Sequence, residues 1–300
     1  MTTIAEALRE AARQLAEKSD TARLDAELLM AHALAVSRSD MLLRHMQDAE
    51  PEGFAALIER RVRHEPVAYI VGHKEFYGLE LEVTPDVLIP RQDSETLIEA
   101  AREAFADRAP NQILDLGTGS GALLLAALTV WPDAEGLGLD SSLDALLVAI
   151  RNAQRHANTP IAFVGGGPLD LPPQRTDRGF ARFLQGDWRK RGWRKYLGRY
   201  DLILCNPPYV EDAAELGRDV REWEPSGALF AGPDGLDDYR ILIPQLPKLL
   251  AEDGVAIFEI GATQAEAVSA IAANIGFTSE LHRDLAGRPR ALVLRLGLGK

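Results

Sequence analysis

The sequence predicts an α/β protein in which a doubly wound parallel sheet follows a small N-terminal helical bundle. Two observations predict this fold. From residue 111 onward, short apolar runs alternate with helical patterns, as in βαβ units. Before that, over residues 3–66, apolar residues recur at helical spacing. A length of 300 residues gives room for one large domain or two modest ones.

The N-terminal part predicts a helical domain over residues 1–66. Three segments, 4–15, 22–35 and 51–63, carry the helical spacing, and Pro51 is expected in the first turn of the last one. This domain has no chemical motif of its own. We expect it to recognise a macromolecular substrate, because a protein target needs a large contact surface.

A β-hairpin linker is predicted over residues 67–90, where aromatic and β-branched residues mix with glycine. The segment "VAYIVG" belongs to this extended linker in the prediction. The last domain, residues 91–300, begins with a helix after Pro90, and Asp93 or Ser94 is expected to cap it.

The last domain contains the strand–helix alternation. Strands are predicted at "QILDLG", "EGLGLD", "RFLQGD", "DLILCN" and "GVAIFEI", followed by an extended pair over residues 278–283 and 290–296. Helices are predicted at residues 121–129, 142–155, 237–250 and 263–275. Residues 157–180 are rich in glycine and proline, which predicts a surface loop.

Composition argues against several classes of protein. The net charge of −12, without an evident basic cluster, argues against a nonspecific grip on nucleic acid. Cys205 is the only cysteine, which excludes an intrachain disulfide, and its apolar surroundings predict a buried thiol. With no signal-peptide pattern and no apolar run of about 18 residues, we expect a cytoplasmic protein without membrane contact. The six histidines lack metal-binding spacing, so we expect no metal.

The first predicted strand runs into the glycine loop, "GTGSG", and then into a helix. Glycine lets the backbone turn sharply and lets a nucleotide-like ligand approach the main chain closely. The candidate cofactor-binding residues here are Gly117, Thr118, Gly119, Ser120 and Gly121. The same spacing also fits the dinucleotide fingerprint of NAD enzymes, and a tight turn without a ligand is the structural alternative.

Acidic residues at two further strand ends complete the candidate cofactor site. Asp140 follows the glycine loop by about 20 residues, where a carboxylate accepts from ribose hydroxyls, and it could also cap the next helix. Asp187 and Trp188 follow the next strand, where a carboxylate suits an adenine amino group and an indole suits its ring. All these strand ends are predicted to share one edge of the sheet, where open α/β sheets bind ligands.

The strand over residues 200–205 ends in Asn206, Pro207, Pro208 and Tyr209, called here the NPPY segment. Two successive prolines cannot donate to a sheet ladder, so the chain leaves the sheet stiffly. Asn206 Oδ1 and the Pro207 carbonyl are suited to accept from both N–H groups of a planar amide, with Tyr209 against its plane. A strand end with a capping Asn is the structural alternative.

Together, these motifs resemble one family over nearly the whole chain. Similarity to the HemK/PrmC family, the N5-glutamine methyltransferases of peptide chain release factors, is carried by "EPVAYIVGHKEFYGLELEV", "VLIPRQDSETLIEAA", "DLGTGSGALLLAA", "LQGDW", "CNPPYV" and "GPDGLDDYR". The chain departs from the family pattern in residues 157–180, which are longer, and at "PRQDSE", where the family usually has proline after the arginine. The resemblance implies a Rossmann-like class I methyltransferase fold, with S-adenosyl-L-methionine as cofactor and S-adenosyl-L-homocysteine as product.

The resemblance further implies methyl transfer to the side-chain nitrogen of the glutamine in a Gly-Gly-Gln motif of release factors. The predicted catalytic residues are Asn206, Pro207 and Tyr209, and Pro208 joins them in the predicted substrate site. Asn206 is also expected to touch the cofactor. The expected partner is a release factor, with no direct nucleic acid partner, and the chain is expected to be a monomer.

Other functions fit parts of the pattern. A ribosomal protein methyltransferase would use the same chemistry, and a DNA N6-adenine methyltransferase meets the same two-donor geometry but needs a basic face. A ligand-binding adaptor or an NAD dehydrogenase leaves the NPPY segment without a role. Arg91, Asp93, Glu95 and Glu259 lie near the predicted site, and each either lines it or serves a cap or ion pair.

Overall fold

The structure, a computed structural model, describes residues 2–156, 161–164 and 180–297. The chain divides into two compact units, Met1–His73 with Leu216–Glu224, and Lys74–Glu215 with Pro225–Lys300. Within the described ranges, no helix is long and apolar enough to cross a membrane.

The first unit is helical, as its sequence pattern predicts. Its elements are the α-helices Ile4–Leu15, Ala22–Leu34, Arg38–Asp40, Phe54–Val62, Val67–Val71 and Arg218–Trp223, with a π-helical turn at Met41–His45. Thr3 caps the first helix, because its hydroxyl accepts from Glu6 N at 3.3 Å while the Glu6 carboxylate accepts from Thr3 N at 2.9 Å. The apolar face of this helix is buried.

Two local predictions in this part of the chain are wrong. Pro51 precedes the helix rather than starting it, because Gly53 takes a left-handed conformation with φ 91° just before Phe54. The segment predicted as extended forms the helix Val67–Val71, whose end is set by Gly72 at φ 81°. Burial of two of its large apolar side chains outweighs their local preference for extended structure.

The hairpin itself is confirmed. Strands β1 (His73–Phe76) and β2 (Leu79–Glu82) form a two-stranded sheet. Tyr77 and Gly78 connect them with φ angles of 51° and 76°, as a two-residue hairpin turn requires.

The second unit contains the doubly wound sheet. Its strands are β3 (Gln112–Leu116), β4 (Glu135–Asp140), β5 (Ile161–Val164), β6 (Ala181–Gln185), β7 (Tyr200–Cys205), β8 (Leu250–Glu259), β9 (Phe277–Arg283) and β10 (Pro289–Leu296). Within the described residues the order is β5–β6–β4–β3–β7–β8–β10–β9. The run from β5 to β8 is parallel, and β10 is antiparallel to β8 and β9. Strand β5 lies inside the predicted loop 157–180, so that prediction is wrong there; residues 157–160 and 165–179 lie outside the described ranges.

Helices flank this sheet at Glu95–Ala104, Ala122–Val130, Leu143–His156, Asp237–Leu242 and Ala265–Ala273. The predicted helix 237–250 changes to a 3₁₀-helix at Ile243–Lys248, because prolines at 244 and 247 cannot donate α-helical hydrogen bonds. Ser94 precedes Glu95–Ala104, but its side chain makes no capping hydrogen bond. Side-chain capping of this helix is therefore a wrong prediction.

The sheet is buried on both faces, and its central strands end together. Leu116 pairs with Leu139 of β4 on one side and with Cys205 of β7 on the other. The chain reverses its direction of winding between β3 and β7, which makes their carboxyl ends the topological switch point. Cys205 is completely buried, as predicted, and burial raises the pKa of its thiol.

Candidate active site

A cavity of about 280 Å³ lies at the carboxyl edge of the sheet. Among the predicted site residues, those that line it are Gly117, Thr118, Gly119, Ser120, Asp140, Asp187, Trp188, Asn206 and Pro208. The shared edge predicted for these strand ends is confirmed by the parallel strand registers. Gly121, Pro207 and Tyr209 do not belong to the described lining. Residues 86–88 also line the cavity, and no sequence motif predicted this part of its wall.

The glycine loop is fastened to the neighbouring strand. Gly117 N and Thr118 N both donate to the Leu139 carbonyl, at 2.8 and 3.0 Å. Gly117 has φ 75°, and a Cβ there would lie 3.1 Å from Cη2 of Trp188. Glycine is required at 117 both for this backbone conformation and for the approach of the indole.

Asp140 closes the other side of the loop. Its Oδ2 accepts from Gly119 N at 2.9 Å, and its Oδ1 accepts from Ser142 N at 2.9 Å. The helix that follows is capped by Ser142, whose hydroxyl oxygen accepts from Ala145 N at 3.2 Å, so Asp140 supports the turn before that cap. Burial raises the pKa of Asp140, and the hydrogen bonds from backbone N–H groups oppose this.

Asp115, beneath the loop, is an acidic residue that the sequence reasoning did not select. Its side chain is almost wholly buried. Oδ2 accepts from the Thr118 hydroxyl at 2.7 Å, and Oδ1 has no hydrogen-bond partner among the described residues. Burial raises the pKa of Asp115 to about 7; the Thr118 hydrogen bond opposes this shift, and the nearby Asp140 adds to it. Its position as the first residue of "DLGTGSG" was the signal for it.

The unfolding free energy should therefore depend on the ionisation of Asp115. Its pKa is about 7 when folded and near 3.8 when unfolded, so the folded state holds this proton more tightly. Its contribution to stability is full below about pH 4 and is lost as the pH rises through 7. Relative to Asp115→Asn, wild type should lose up to about 4 kcal/mol between pH 4 and 8. Urea unfolding across this range checks it, and parallel curves for both proteins would contradict it.

Trp188 is held in the cavity wall by a buried acid. Its Nε1 donates to Asp238 Oδ1 at 2.6 Å, and Arg189 Nη2 lies 2.7 Å from Asp238 Oδ2. Asp238 has no exposed surface. Asp187 Oδ1 accepts from Arg189 N at 3.0 Å, and Asp187 Oδ2 lies 3.6 Å from Lys190 Nζ. Asp238 lies in "GPDGLDDYR", but its local sequence does not indicate a partner 50 residues away.

In the NPPY segment, the Asn206 side chain is available to a ligand, while the backbone at Tyr209 is held by hydrogen bonding and close packing. Among the described residues, the Asn206 side-chain amide has no hydrogen-bond partner, although it lines the cavity. The Tyr209 carbonyl accepts from Gln264 Nε2 at 3.0 Å. Gly235 passes so close that a Cβ on it would lie 2.3 Å from this same carbonyl oxygen. These contacts fix the segment while leaving the amide of Asn206 available to a ligand.

The hydroxyl of Tyr209 is tied to a buried carboxylate. It donates to Glu259 Oε1 at 3.1 Å, and Arg290 Nη1 lies 3.8 Å from the same oxygen. Burial raises the pKa of Glu259, and the neighbouring Ser94 hydroxyl and Arg290 oppose this. Burial also raises the pKa of Tyr209, and the charge of Glu259 adds to it. Glu259 is thus a partner of the NPPY segment, outside the described cavity lining.

Of the three remaining candidate residues, one lines the cavity and two are held by contacts outside the described lining. Arg91 lines the cavity. Asp93 lies 2.7 Å from Arg288 Nη2 and 3.2 Å from Arg290 Nη2, which makes it an ion-pair residue. Glu95 accepts from Tyr77 N at 3.0 Å.

Tyr209→Phe should destabilise the folded protein by about 1–3 kcal/mol, because it removes the hydroxyl donor from a buried carboxylate. The other oxygen of Glu259 has no hydrogen-bond partner among the described residues, so the variant would leave this carboxylate mainly with the Arg290 guanidinium at 3.8 Å. The measurement is the free energy of urea unfolding. Tyr196→Phe, a half-exposed hydroxyl without a described hydrogen bond, is the matched control and should change little. Equal stability of both variants would show that the Tyr209 hydroxyl is dispensable.

The arrangement suits a nucleotide-like ligand next to a planar polar group. A glycine loop, two carboxylates and an indole surround one part of the cavity, and the unpaired amide of Asn206 lies at another. Within the part of the chain that the structure describes, no group of three or more His, Cys, Asp or Glu residues could hold a metal ion.

Comparison with known proteins identifies the family. Residues 6–72 match the model of the PrmC N-terminal domain. The chain is 40% identical over 279 residues to the release factor glutamine methyltransferase of Rhodospirillum rubrum, covering 91% of this chain and 78% of that protein. It is 37% identical to the Geobacter sulfurreducens protein of the same name (88% and 86% covered) and 35% identical to that of Coxiella burnetii (99% and 100%). The resemblance carried by the motifs is thus confirmed over nearly the whole length, and the chain belongs to the family of release factor glutamine methyltransferases.

Proposed function

We propose that this protein transfers a methyl group from S-adenosylmethionine to the side-chain amide nitrogen of a glutamine in a peptide chain release factor. The target glutamine in this proposal is that of the Gly-Gly-Gln motif. The observation that carries it is the unpaired amide of Asn206, which lines the same cavity as the glycine loop. Family membership supports the same reaction.

The residues present fit the cofactor. The buried Asp115 has an unpartnered carboxylate oxygen beneath the loop, and Gly117 leaves open a space that a Cβ would fill. We assign residues 117–120 to the main body of the cofactor, Asp140 to its ribose hydroxyls, and Asp187 with Trp188 to its adenine. When bound, the cofactor supplies an electrophilic methyl group on a sulfonium.

The chain's contribution is to bind and orient the glutamine amide. Its nitrogen lone pair is delocalised into the carbonyl, and the nitrogen gains positive charge as it is methylated. Acceptors aimed at both N–H groups stabilise that charge and fix the plane of the amide. Asn206 Oδ1 and the Pro207 carbonyl have these roles in the proposal, while Pro208 stiffens the turn.

The ring of Tyr209 has the role of covering the amide in this proposal. Its hydroxyl is committed to Glu259, which restricts where the ring can lie. The N-terminal residues 1–66 have the role of holding the protein substrate.

Two related reactions fit less well. A DNA N6-adenine methyltransferase would need an extended basic face, and the chain carries a net charge of −12. Methylation of a ribosomal protein uses the same chemistry, but the named relatives are release factor enzymes over nearly their whole length.

The test is mass spectrometry of a release factor incubated with this protein and S-adenosylmethionine. We expect one added methyl group, located by fragmentation on the glutamine of the Gly-Gly-Gln motif. A release factor in which this glutamine is replaced by alanine is the control. Methylation elsewhere, or tight binding of NADH in place of S-adenosylmethionine, would refute the proposal.

A further inference from the structure

The segment between β6 and β7 concentrates positive charge on an acidic protein. Six of its residues are cationic: Arg189, Lys190, Arg191, Arg194, Lys195 and Arg199. The expectation that the chain has no evident basic cluster is therefore wrong. The expectation was based on the net charge of −12, which is a sum over the whole chain and does not show where the charges lie.

Two of the six cations are paired with carboxylates and four are not. Arg189 pairs with Asp238 at 2.7 Å, and Lys190 lies 3.6 Å from Asp187. Within the described ranges, the others have no carboxylate within 4 Å. Three of them line one groove, and we call these three the basic patch: Arg191, Arg194 and Lys195. Arg199 lies outside this groove, at the amino end of β7.

Members of the basic patch contact neutral groups instead. Arg194 Nε donates to Gln245 Oε1 at 2.9 Å, and Lys195 lies 5.2 Å from the ring centroid of Tyr196. These contacts orient the cations without neutralising their charge.

The patch is built on an anchored segment. Trp193 begins a 3₁₀-helix, donates from Nε1 to Gln245 Oε1 at 2.9 Å, and packs against the hydrophobic core together with Leu197. Residues 188–195 and Gln245 line an open groove of about 530 Å³. Because the backbone is held by these contacts, the exposed cations occupy a defined surface, and little ordering is needed on binding.

The groove adjoins the candidate active site. Trp188 and Arg189 line both the groove and the central cavity. A protein that presents a side chain to the cavity therefore has neighbouring surface close to the basic patch.

We propose that the basic patch binds a short acidic segment on the surface of the protein substrate, next to its target glutamine. This inference rests on the proposed function. Guanidinium and ammonium groups without carboxylate partners are complementary to Asp and Glu side chains, and such contacts speed association with an acidic partner and select it over other partners. The patch sets which substrate proteins are used efficiently.

A short acidic protein segment fits the patch better than nucleic acid does. Trp193 donates to Gln245 and packs on the core, and Trp188 lines the central cavity, where it is assigned to the adenine of the cofactor. Neither indole is therefore left as a platform for the bases of a nucleic acid strand. A long polyanion would also meet the repulsion of a chain with net charge −12 beyond these few cations.

The test is the double reversal Arg191→Glu with Lys195→Glu. Steady-state methylation of a release factor should show a rise of about tenfold in KM, the effect of several exposed charge contacts, with kcat unchanged. Raising the salt concentration to roughly 0.3 M should raise KM for wild type and leave that of the variant nearly constant. Direct binding of the release factor, measured by calorimetry, should weaken in parallel, while affinity for S-adenosylmethionine stays the same.

The control is Arg155→Glu with Arg283→Glu, which makes the same change in net charge at exposed positions away from the groove. It should behave as wild type. If the patch variant and this control have the same KM and the same affinity for the release factor, the inference is overturned although the proposed function stands. If wild type neither binds nor methylates the release factor, both fail. If the patch variant loses only binding of a labelled RNA oligonucleotide, the patch is a nucleic acid surface and the inference is also overturned.

Discussion

Asn206→Ala is expected to reduce the rate of methyl transfer by about 100-fold or more, the loss seen when one acceptor or donor aimed at transition-state charge is removed. Asn206 lines the cavity with an amide that has no partner among the described residues, so its removal leaves no internal hydrogen bond broken. The loss should fall on the chemical step, because the acceptor faces charge that grows during transfer. Single-turnover methylation of a release factor with saturating cofactor measures that step.

Two further variants make this test specific. Asn206→Asp keeps an oxygen acceptor and adds a charge, so partial activity would assign Asn206 to accepting one hydrogen bond, and activity as low as that of alanine would show that neutrality matters too. Gln185→Ala removes a side-chain amide from the end of β6, which β4 and β3 separate from β7. Gln185 lies outside the described cavity lining, and this variant should be as active as wild type. If Asn206→Ala transfers methyl at the wild-type rate, Asn206 has no role in the reaction and the NPPY segment only ends the strand.

Asp140→Ala is expected to weaken S-adenosylmethionine binding by about 1–3 kcal/mol, roughly 5- to 150-fold in Kd. The carboxylate has two tasks, because it also accepts from Gly119 N and Ser142 N. The alanine variant therefore loses both the predicted contact with ribose hydroxyls and the support of the glycine loop. Calorimetry with S-adenosylmethionine measures the combined effect.

Separating the two tasks needs a variant that retains an oxygen. Asp140→Asn keeps one acceptor for the loop, so it should be more stable than the alanine variant while still binding the cofactor weakly. Asp133→Ala removes an exposed carboxylate outside the described cavity lining and is the matched control. Unchanged affinity in Asp140→Ala would remove this residue from the cofactor site.

Much of the sheet was predictable because its signals are local. The central strands are short, mostly apolar runs, and two of them end just before a glycine or proline signal, Gly117 after β3 and Pro207 after β7. Parallel strands end at the same edge of a sheet, so the position of the cavity followed from predicting these strands as parallel. The prediction for residues 67–71 was wrong, because burial of side chains within their unit outweighed the local preference of these residues for extended structure.

The partners of the site residues were not predictable in this way. Trp188 is held by Asp238, 50 residues away, and Arg290 reaches Asp93 across 197 residues. No periodicity or spacing records such pairings, because they arise only when separate elements pack together. The sequence could therefore propose Tyr209 as a ring against an amide, but not that its hydroxyl is committed to a buried glutamate.

The sequence by itself determined where the central strands lie along the chain, the glycine loop, the stiff NPPY segment and the family to which the chain belongs. These depend on backbone geometry, which glycine and proline specify locally. Only the tertiary structure decided which charges are neutralised: Asp238 pairs with Arg189, whereas Arg191 and Lys195 have no carboxylate within reach among the described residues. The physical reason is that Coulomb interactions depend on distance in space, which folding sets between residues far apart in the chain.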